Sequence, residues 1–128
     1  MKTVDYLRSI SDFVSLGPVQ ESDIDEAESS LSLRFSPEYR EYVRECGIAS
    51  ADGHELTGIC KSGRLNVVHV TENNRHLNVN IPKDLYVIEE TNFDGGVIWQ
   101  SATGEIYCST QNSEPEKIAN SIYEYLNL

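Results

Sequence analysis

The segment from Leu85 to Cys108 constrains the fold more strongly than any other part of the chain. Three short runs rich in β-branched and aromatic residues are separated by Asp94–Gly96 and by Thr103–Gly104, and such turn residues tolerate the positive φ angles of tight hairpins. The pattern predicts an antiparallel β-meander over residues 85–108. Leu85–Ile88 is apolar throughout, which predicts a central strand covered on both faces. Trp99 is expected in the core, and would be a natural partner anchor if it were exposed.

Apolar residues with helical spacing lie on both sides of this meander. They predict helices near residues 2–16, 23–32, 37–46 and 115–126, and a further strand is predicted near residues 55–60. Gly47 is the expected C-terminal end of the third segment, because glycine readily takes the conformation that ends a helix.

Polar residues at the starts of these segments have the character of helix caps. Ser22 or Asp23 is expected to cap the second helix and Ser36 the third, which has proline at its first position. Ser113 and Glu116 have the spacing of a capping box. The last helix is therefore predicted to begin at about residue 115.

The run Leu65–Val70 is ambiguous. Its valines favour a strand, whereas the spacing of Leu65, Val68 and Glu72, with Asn66 as a cap, favours a helix. Helices first, a consecutive meander later and a closing helix together indicate the α+β class, with helices packed on an antiparallel sheet.

Charge narrows the classes of ligand. Twenty-one carboxylates against ten lysines and arginines give a formal net charge of −11. Repulsion from phosphate argues against nucleic acid and against anionic membrane surfaces. The same field would favour a partner with a basic surface. Ordinary solubility is the simpler explanation of the charge, so charge alone does not identify a partner.

The cysteines and the N-terminus indicate a cytoplasmic protein. Cys46, Cys60 and Cys108 form an odd and widely spaced set, which fits reduced thiols better than a disulfide framework. The N-terminal residues lack the continuous apolar core of a secretory signal. No apolar run approaches the roughly 20 residues needed to cross a bilayer.

Catalytic signatures are weak. Cys60 with His54 or His69 is the one pairing of nucleophile and base that the sequence leaves open, and no flanking motif supports it. The histidines have no metal-binding companions at the usual spacing, and no phosphate-binding loop or dinucleotide fingerprint is present. We therefore expect neither enzymatic activity nor a metal or other cofactor.

Taken together, the helix pair and the meander resemble the SUKH superfamily, which includes a yeast cell-wall regulator and many bacterial immunity proteins. The resemblance rests on the order and spacing of four stretches from residue 24 onward. They are Ile24–Leu33, Phe35–Tyr42, Gly53–Ile59, and Pro82–Ile88 followed by Asp94-Gly95 and Gly104–Tyr107. Two departures are that Phe35-Ser36-Pro37 replaces the usual Leu-Pro, and Cys46-Gly47 stands where Asn-Gly is common.

This resemblance implies a single SUKH-like domain over residues 1–128, with a helix near residues 66–77. It implies binding rather than catalysis, as in an immunity protein that holds and blocks a cognate toxin, often a nuclease or another polymorphic toxin effector. The alternative is a regulatory or scaffold module that binds a host protein, as in the yeast branch. The oligomeric state stays open.

An acidic surface is the candidate interface, because a toxin that holds phosphates needs a basic face. The candidate residues come from the second helix, from the turn before the strand near residue 55, and from the end of the first meander strand. They are Glu21, Asp23, Asp25, Glu26, Glu28, Asp52, His54, Glu55, Glu89, Glu90 and Asp94.

Overall fold

The computed structural model of the protein describes residues 2–91, 95–111 and 113–128. Helices and antiparallel strands are mixed along the chain, which confirms the predicted α+β class. In chain order the elements are α1 (Thr3–Ser9), β1 (Val14–Ser15), α2 (Glu21–Leu31), α3 (Pro37–Cys46), β2 (Ala49–Ala51), β3 (His54–Leu56), α4 (Val67–Leu77), β4 (Tyr86–Glu90), β5 (Val97–Gln100), β6 (Ile106–Ser109), β7 (Glu116–Ala119) and α5 (Ile122–Leu126). No described helix is long and apolar enough to cross a membrane.

The predicted meander is confirmed as β4, β5 and β6, and the sheet gains β7 as a fourth strand in the order β4-β5-β6-β7. Leu85–Ile88 are buried, as their apolar character predicted. The prediction of a central position was wrong, because β4 ends the row of paired strands. Its outer side is nevertheless covered, since Thr57 donates its backbone N–H to Ile88 O at 2.9 Å.

Three predicted helices are confirmed, and two of them have the caps expected from the sequence. Ser36 caps α3 by accepting a hydrogen bond from Tyr39 N, and Gly47 ends that helix. Asn66 caps α4 by accepting from the backbone N–H groups of Val68 and His69, so the ambiguous segment is a helix. The third, α2, begins without a side-chain cap.

The cap predicted for α2 was wrong. Gln20 occupies the N-cap position, and its side chain makes no capping hydrogen bond. Ser22 and Asp23 lie inside the first turn, where an acidic residue still interacts favourably with the helix dipole.

The helix predicted near residues 2–16 is too long. It ends at Ser9, and Val14 pairs with Ser50 in a second, three-stranded sheet of order β1-β2-β3. Val4 and Leu7 on the helix are buried, but Val14 is exposed. Apolar spacing in residues 10–16 fits either structure, and pairing with β2 decides in favour of the strand because it satisfies the backbone.

The helix predicted near residues 115–126 is also wrong in its first half. Residues Glu116–Ala119 pair with β6 as a strand, and the helix is confined to Ile122–Leu126. Ser113 makes no capping box; its hydroxyl bonds the backbone of Thr110. The strand predicted near residues 55–60 is likewise shorter, spanning His54–Leu56. Pairing between distant segments overrides local propensity in these places.

Aromatic side chains fill the core between the sheets and helices. Trp99, Tyr39, Tyr42 and Tyr86 are completely buried, and the Trp99 indole N–H donates to Ser109 Oγ at 2.9 Å. Trp99 is therefore a core residue, and it cannot act as an exposed anchor for a partner.

Candidate partner-binding surface

The structure divides the predicted interface residues into two groups that line different clefts. The first group lies on α2, beside a cleft lined by Asp25 and Glu28. The second surrounds a cleft between the β2–β3 turn and the end of β4, lined by His54 and Glu89 among others. Asp94 lies outside the described residues.

Three of the α2 carboxylates are gathered around one guanidinium group. Arg40 Nη1 lies 2.7 Å from Glu28 Oε1, and Nη2 lies 2.8 Å from Glu21 Oε2 and 3.0 Å from Asp25 Oδ1. Helical spacing places these acids on one face of α2. Their charge is therefore partly neutralised within the protein, and this face is less negative than the sequence suggests.

Glu28 also has a structural task. Its Oε2 accepts a hydrogen bond from the backbone N–H of Phe35 at 2.8 Å, so the carboxylate joins the end of α2 to the start of α3. Asp23 and Glu26 differ, because both are exposed and neither has an ion pair among the described residues. These two carboxylates are the α2 acids whose charge faces solvent without a neutralising partner.

The second cleft is built around the buried carboxylate of Glu89, which is 5% exposed. His54 Nδ1 lies 2.9 Å from Glu89 Oε1, and the same oxygen accepts the Tyr125 hydroxyl at 2.5 Å. Glu89 Oε2 accepts the backbone N–H of Glu55 at 2.7 Å. A buried carboxylate needs such donors to replace lost water, and these contacts join β3, β4 and α5.

The electrostatics of this cluster follow from the Glu89 charge. The hydrogen bond between Glu89 and His54 raises the pKa of the His54 imidazole. Partial burial acts in the opposite direction, and the charge of Asp52 raises this pKa further. Burial raises the pKa of the Tyr125 phenol, and the adjacent Glu89 carboxylate raises it further. Tyr125 therefore remains a neutral donor, and protonated His54 is favoured beside the carboxylate.

Two more carboxylates stand at the edge of this cleft, whose volume is about 210 Å³. Glu55 is held by both terminal nitrogens of Arg64, at 3.1 and 2.9 Å. Glu90 is exposed, and its Oε2 accepts from the Asn74 side-chain amide at 2.9 Å. The structure thus brings together four of the predicted residues, His54, Glu55, Glu89 and Glu90.

Asp52 lies in the turn next to this cleft. It has a positive φ of 51°, a conformation that aspartate tolerates better than most residues. Its backbone N–H donates to Asp12 Oδ1 at 2.9 Å, so the turn is tied to the segment before β1.

Sequence analysis missed Tyr125, Arg40 and Arg64 as parts of these surfaces. Tyr125 was predicted only as part of the helix near residues 115–126, although a buried tyrosine hydroxyl usually has a hydrogen-bond partner. The two arginines lack a local signal, because their carboxylate partners are brought to them by the fold rather than by helical spacing within one segment.

Among the described residues, Cys60 makes no hydrogen bond with a histidine. The Cys60 thiol donates to Ser62 O at 3.3 Å, His54 is engaged by Glu89, and His69 is exposed on α4. Burial raises the pKa values of the Cys46 and Cys108 thiols, which disfavours the nucleophilic thiolate. Within residues 2–91, 95–111 and 113–128, no three potential metal ligands are grouped to hold an ion.

Comparison with known families identifies a family model that covers nearly the whole chain. The SUKH_5 family model, described as SMI1-KNR4 cell-wall, matches residues 3–127. No curated protein matches the chain.

Proposed function

The chain belongs to the SUKH superfamily, and from this membership we propose that it is an immunity protein that binds and neutralises a cognate bacterial toxin. Family membership is consistent with an immunity or a regulatory role. Our proposal is the narrower one: protein–protein contact without catalysis, in the cytoplasm, against a nuclease or a similar effector.

The observation that carries the proposal is the Glu89 cleft. A fixed, buried carboxylate lies at its base, paired with His54. Glu55 at the edge is paired with Arg64. The exposed carboxylates of Glu90 and Asp52, which have no ion pair among the described residues, therefore supply the charge that faces a partner. Preformed acidic concavities favour basic side chains without requiring reorganisation on binding. A nuclease that holds phosphates through a basic face would offer such side chains.

The net charge of the protein supports the same proposal, because it acts on a partner over longer distances. A net charge of −11 on 128 residues would accelerate encounter with a basic partner, most strongly at low ionic strength. We propose the Glu89 cleft, with Asp52, as the main contact. Asp23 and Glu26 on α2 are proposed as a second region, and Glu21, Asp25 and Glu28 as its less negative border.

The test is rescue of growth. If a gene beside this chain's gene encodes a toxin, that toxin is expressed alone and together with the chain, and the solubility of both proteins is checked. Restored growth with a stable complex supports the proposal. A soluble, expressed pair that does not form a complex and does not restore growth would contradict it.

The alternative function is a regulatory or scaffold module that binds a host protein. The cell-wall description of the matching family model favours it. It differs from the immunity proposal in requiring no toxin. Stoichiometric binding of a host protein in cells that lack a toxin gene would support this alternative.

A further inference from the structure

A second groove, of about 390 Å³, adjoins the Glu89 cleft, and Glu90 and Thr91 line both. We propose that this groove receives an arginine or lysine side chain of the bound partner. The inference rests on the proposed function, because it names the chemistry by which a basic protein would be recognised. It also assigns a role to α4, which contributed no residue to the predicted interface.

One side of the groove is apolar, and Leu77 and the half-buried Val97 form its solvent-facing part, because Trp99 is buried behind them. Leu77, Val97 and Trp99 line it, and Leu77 is 67% exposed. Val79, two residues further along the chain, is 89% exposed. Long basic side chains bury their methylene stems against such surfaces while the charged head remains polar, so the apolar wall fits the stem.

The charged head requires a carboxylate in a fixed position, and Glu90 supplies it. Glu90 Oε2 accepts from Asn74 Nδ2 at 2.9 Å, and the same amide nitrogen donates to Val70 O at 2.8 Å. Asn74 is buried, so its side chain is held in place. Glu90 Oε1 receives no hydrogen bond from the described residues and is available to a donor.

The end of α4 adds to the preference for a cation. The helix ends at Leu77, and both Leu77 and Asn78 line the groove. Carbonyl groups in the last turn of a helix have no intrahelical partners and carry the negative end of the helix dipole. Arg75 and His76 lie in the same last turn and offset part of this field, so the Glu90 carboxylate is the main attraction for a cation.

The protein's own neighbouring cation does not fill this position. Arg64 interacts electrostatically with Glu90, but both of its terminal nitrogens are hydrogen-bonded to Glu55. An apolar wall, an available carboxylate oxygen and a helix C-terminus thus lie together. Arginine suits the combination best, since its planar guanidinium can bond a carboxylate through two N–H groups.

The test is an NMR titration with two peptides that differ only in charge, acetyl-leucyl-arginine amide and acetyl-leucyl-citrulline amide. The arginine peptide should produce saturable shifts at the Trp99 indole N–H and at the amides of Leu77 and Val97. The citrulline peptide should bind more weakly. Glu90→Gln should weaken binding of the arginine peptide by about three- to fivefold, which is the scale of a partly exposed ion pair.

Two further variants complete the experiment. Leu77→Ser removes the exposed wall and should also weaken binding, whereas Asp5→Asn, an exposed acid on α1, should leave it unchanged. Equal shifts with both peptides, or unchanged binding to Glu90→Gln, would overturn the inference. Because no toxin is used, this failure would leave the immunity function standing, and only failed growth rescue would remove it.

Discussion

Glu38 Oε1 accepts a hydrogen bond from the backbone N–H of Ile122 at 2.9 Å, although the two residues lie 84 positions apart. The carboxylate on α3 thereby occupies the beginning of α5, whose first N–H groups have no partners within the helix. Glu38 also accepts from Gln100 Nε2 at 2.9 Å and from the Thr3 hydroxyl at 2.5 Å. One side chain therefore joins α1, α3, β5 and α5.

The first prediction concerns this junction. Glu38→Gln removes the charge and turns one acceptor into a donor that faces other donors. We expect the free energy of unfolding to fall by about 1–3 kcal/mol, the scale for hydrogen bonds to a charged group. Urea denaturation measures it. Glu41→Gln is the matched control, because Glu41 on the same helix makes, among the described residues, a single and distant ion pair, with Lys2 at 3.7 Å. Equal losses in both variants would show that Glu38 is not a special junction.

The second prediction concerns pH. The pKa of His54 is raised in the folded protein. Protonated His54 therefore stabilises the fold fully at pH values below its pKa in the unfolded chain, and this stabilisation is lost as the pH rises through its pKa in the folded protein. The groups that face the imidazole are Glu89, Asp52 and the Tyr125 ring. His54→Gln should therefore destabilise the protein more at about pH 6 than at about pH 8.

Chemical denaturation of both proteins at each pH measures this difference. His69→Gln is the control, because His69 is exposed on α4 and has no side-chain hydrogen bond in the described part of the chain. A His54→Gln effect that is the same at both pH values, or larger at the higher one, would contradict the assignment of the His54–Glu89 pair.

The third prediction concerns the acids around Arg40. Arg40→Met leaves Glu21, Asp25 and Glu28 close together without their shared cation. We expect the free energy of unfolding to fall by about 1–2 kcal/mol, since the site is only partly buried. The loss should be larger at low salt, where repulsion between the carboxylates is less screened.

Thermal unfolding at two salt concentrations checks it. Lys61→Met removes the same charge from an exposed residue that has no ion pair in the described ranges and does not line the Arg40 cleft, so it separates the local cluster from the change in net charge. A salt-independent loss in Arg40→Met would assign the effect to packing.

Elements that depend on local signals were predicted correctly, whereas elements that depend on pairing with distant strands were not. Ser36 and Gly47 bound α3 as predicted because each acts within one turn of the helix. Segments 10–16 and 113–121 were mispredicted because their conformation depends on distant strands, β2 and β6. Short apolar segments fit helix and strand equally well until their pairing partners are known.

The candidate site shows the same limit. His54 and Glu89 were both selected as acidic-surface candidates, but their contact spans 35 positions, and no periodicity relates residues on β3 to residues on β4. The sequence also could not distinguish Glu28, which accepts the Phe35 N–H, from Glu26, which has no ion pair in the part of the chain that the structure describes. Charge is visible in a sequence, whereas the neutralising partner is not.

The last prediction separates the two acidic surfaces. Glu90→Lys, Glu26→Lys and Asp5→Lys change the net charge equally, so long-range steering alone should affect association with the cognate toxin to a similar, small extent. If the Glu89 cleft is the main contact, Glu90→Lys should reduce the association rate by about tenfold at low salt, because it reverses the local potential at the point of encounter. Glu28 is unsuitable for this test, since reversing it would break its bond to Phe35. Stopped-flow or surface-binding kinetics over a range of salt measure the three rates. A larger effect of Glu26→Lys than of Glu90→Lys would move the interface to α2, where Asp23 and Glu26 provide the unpaired charge.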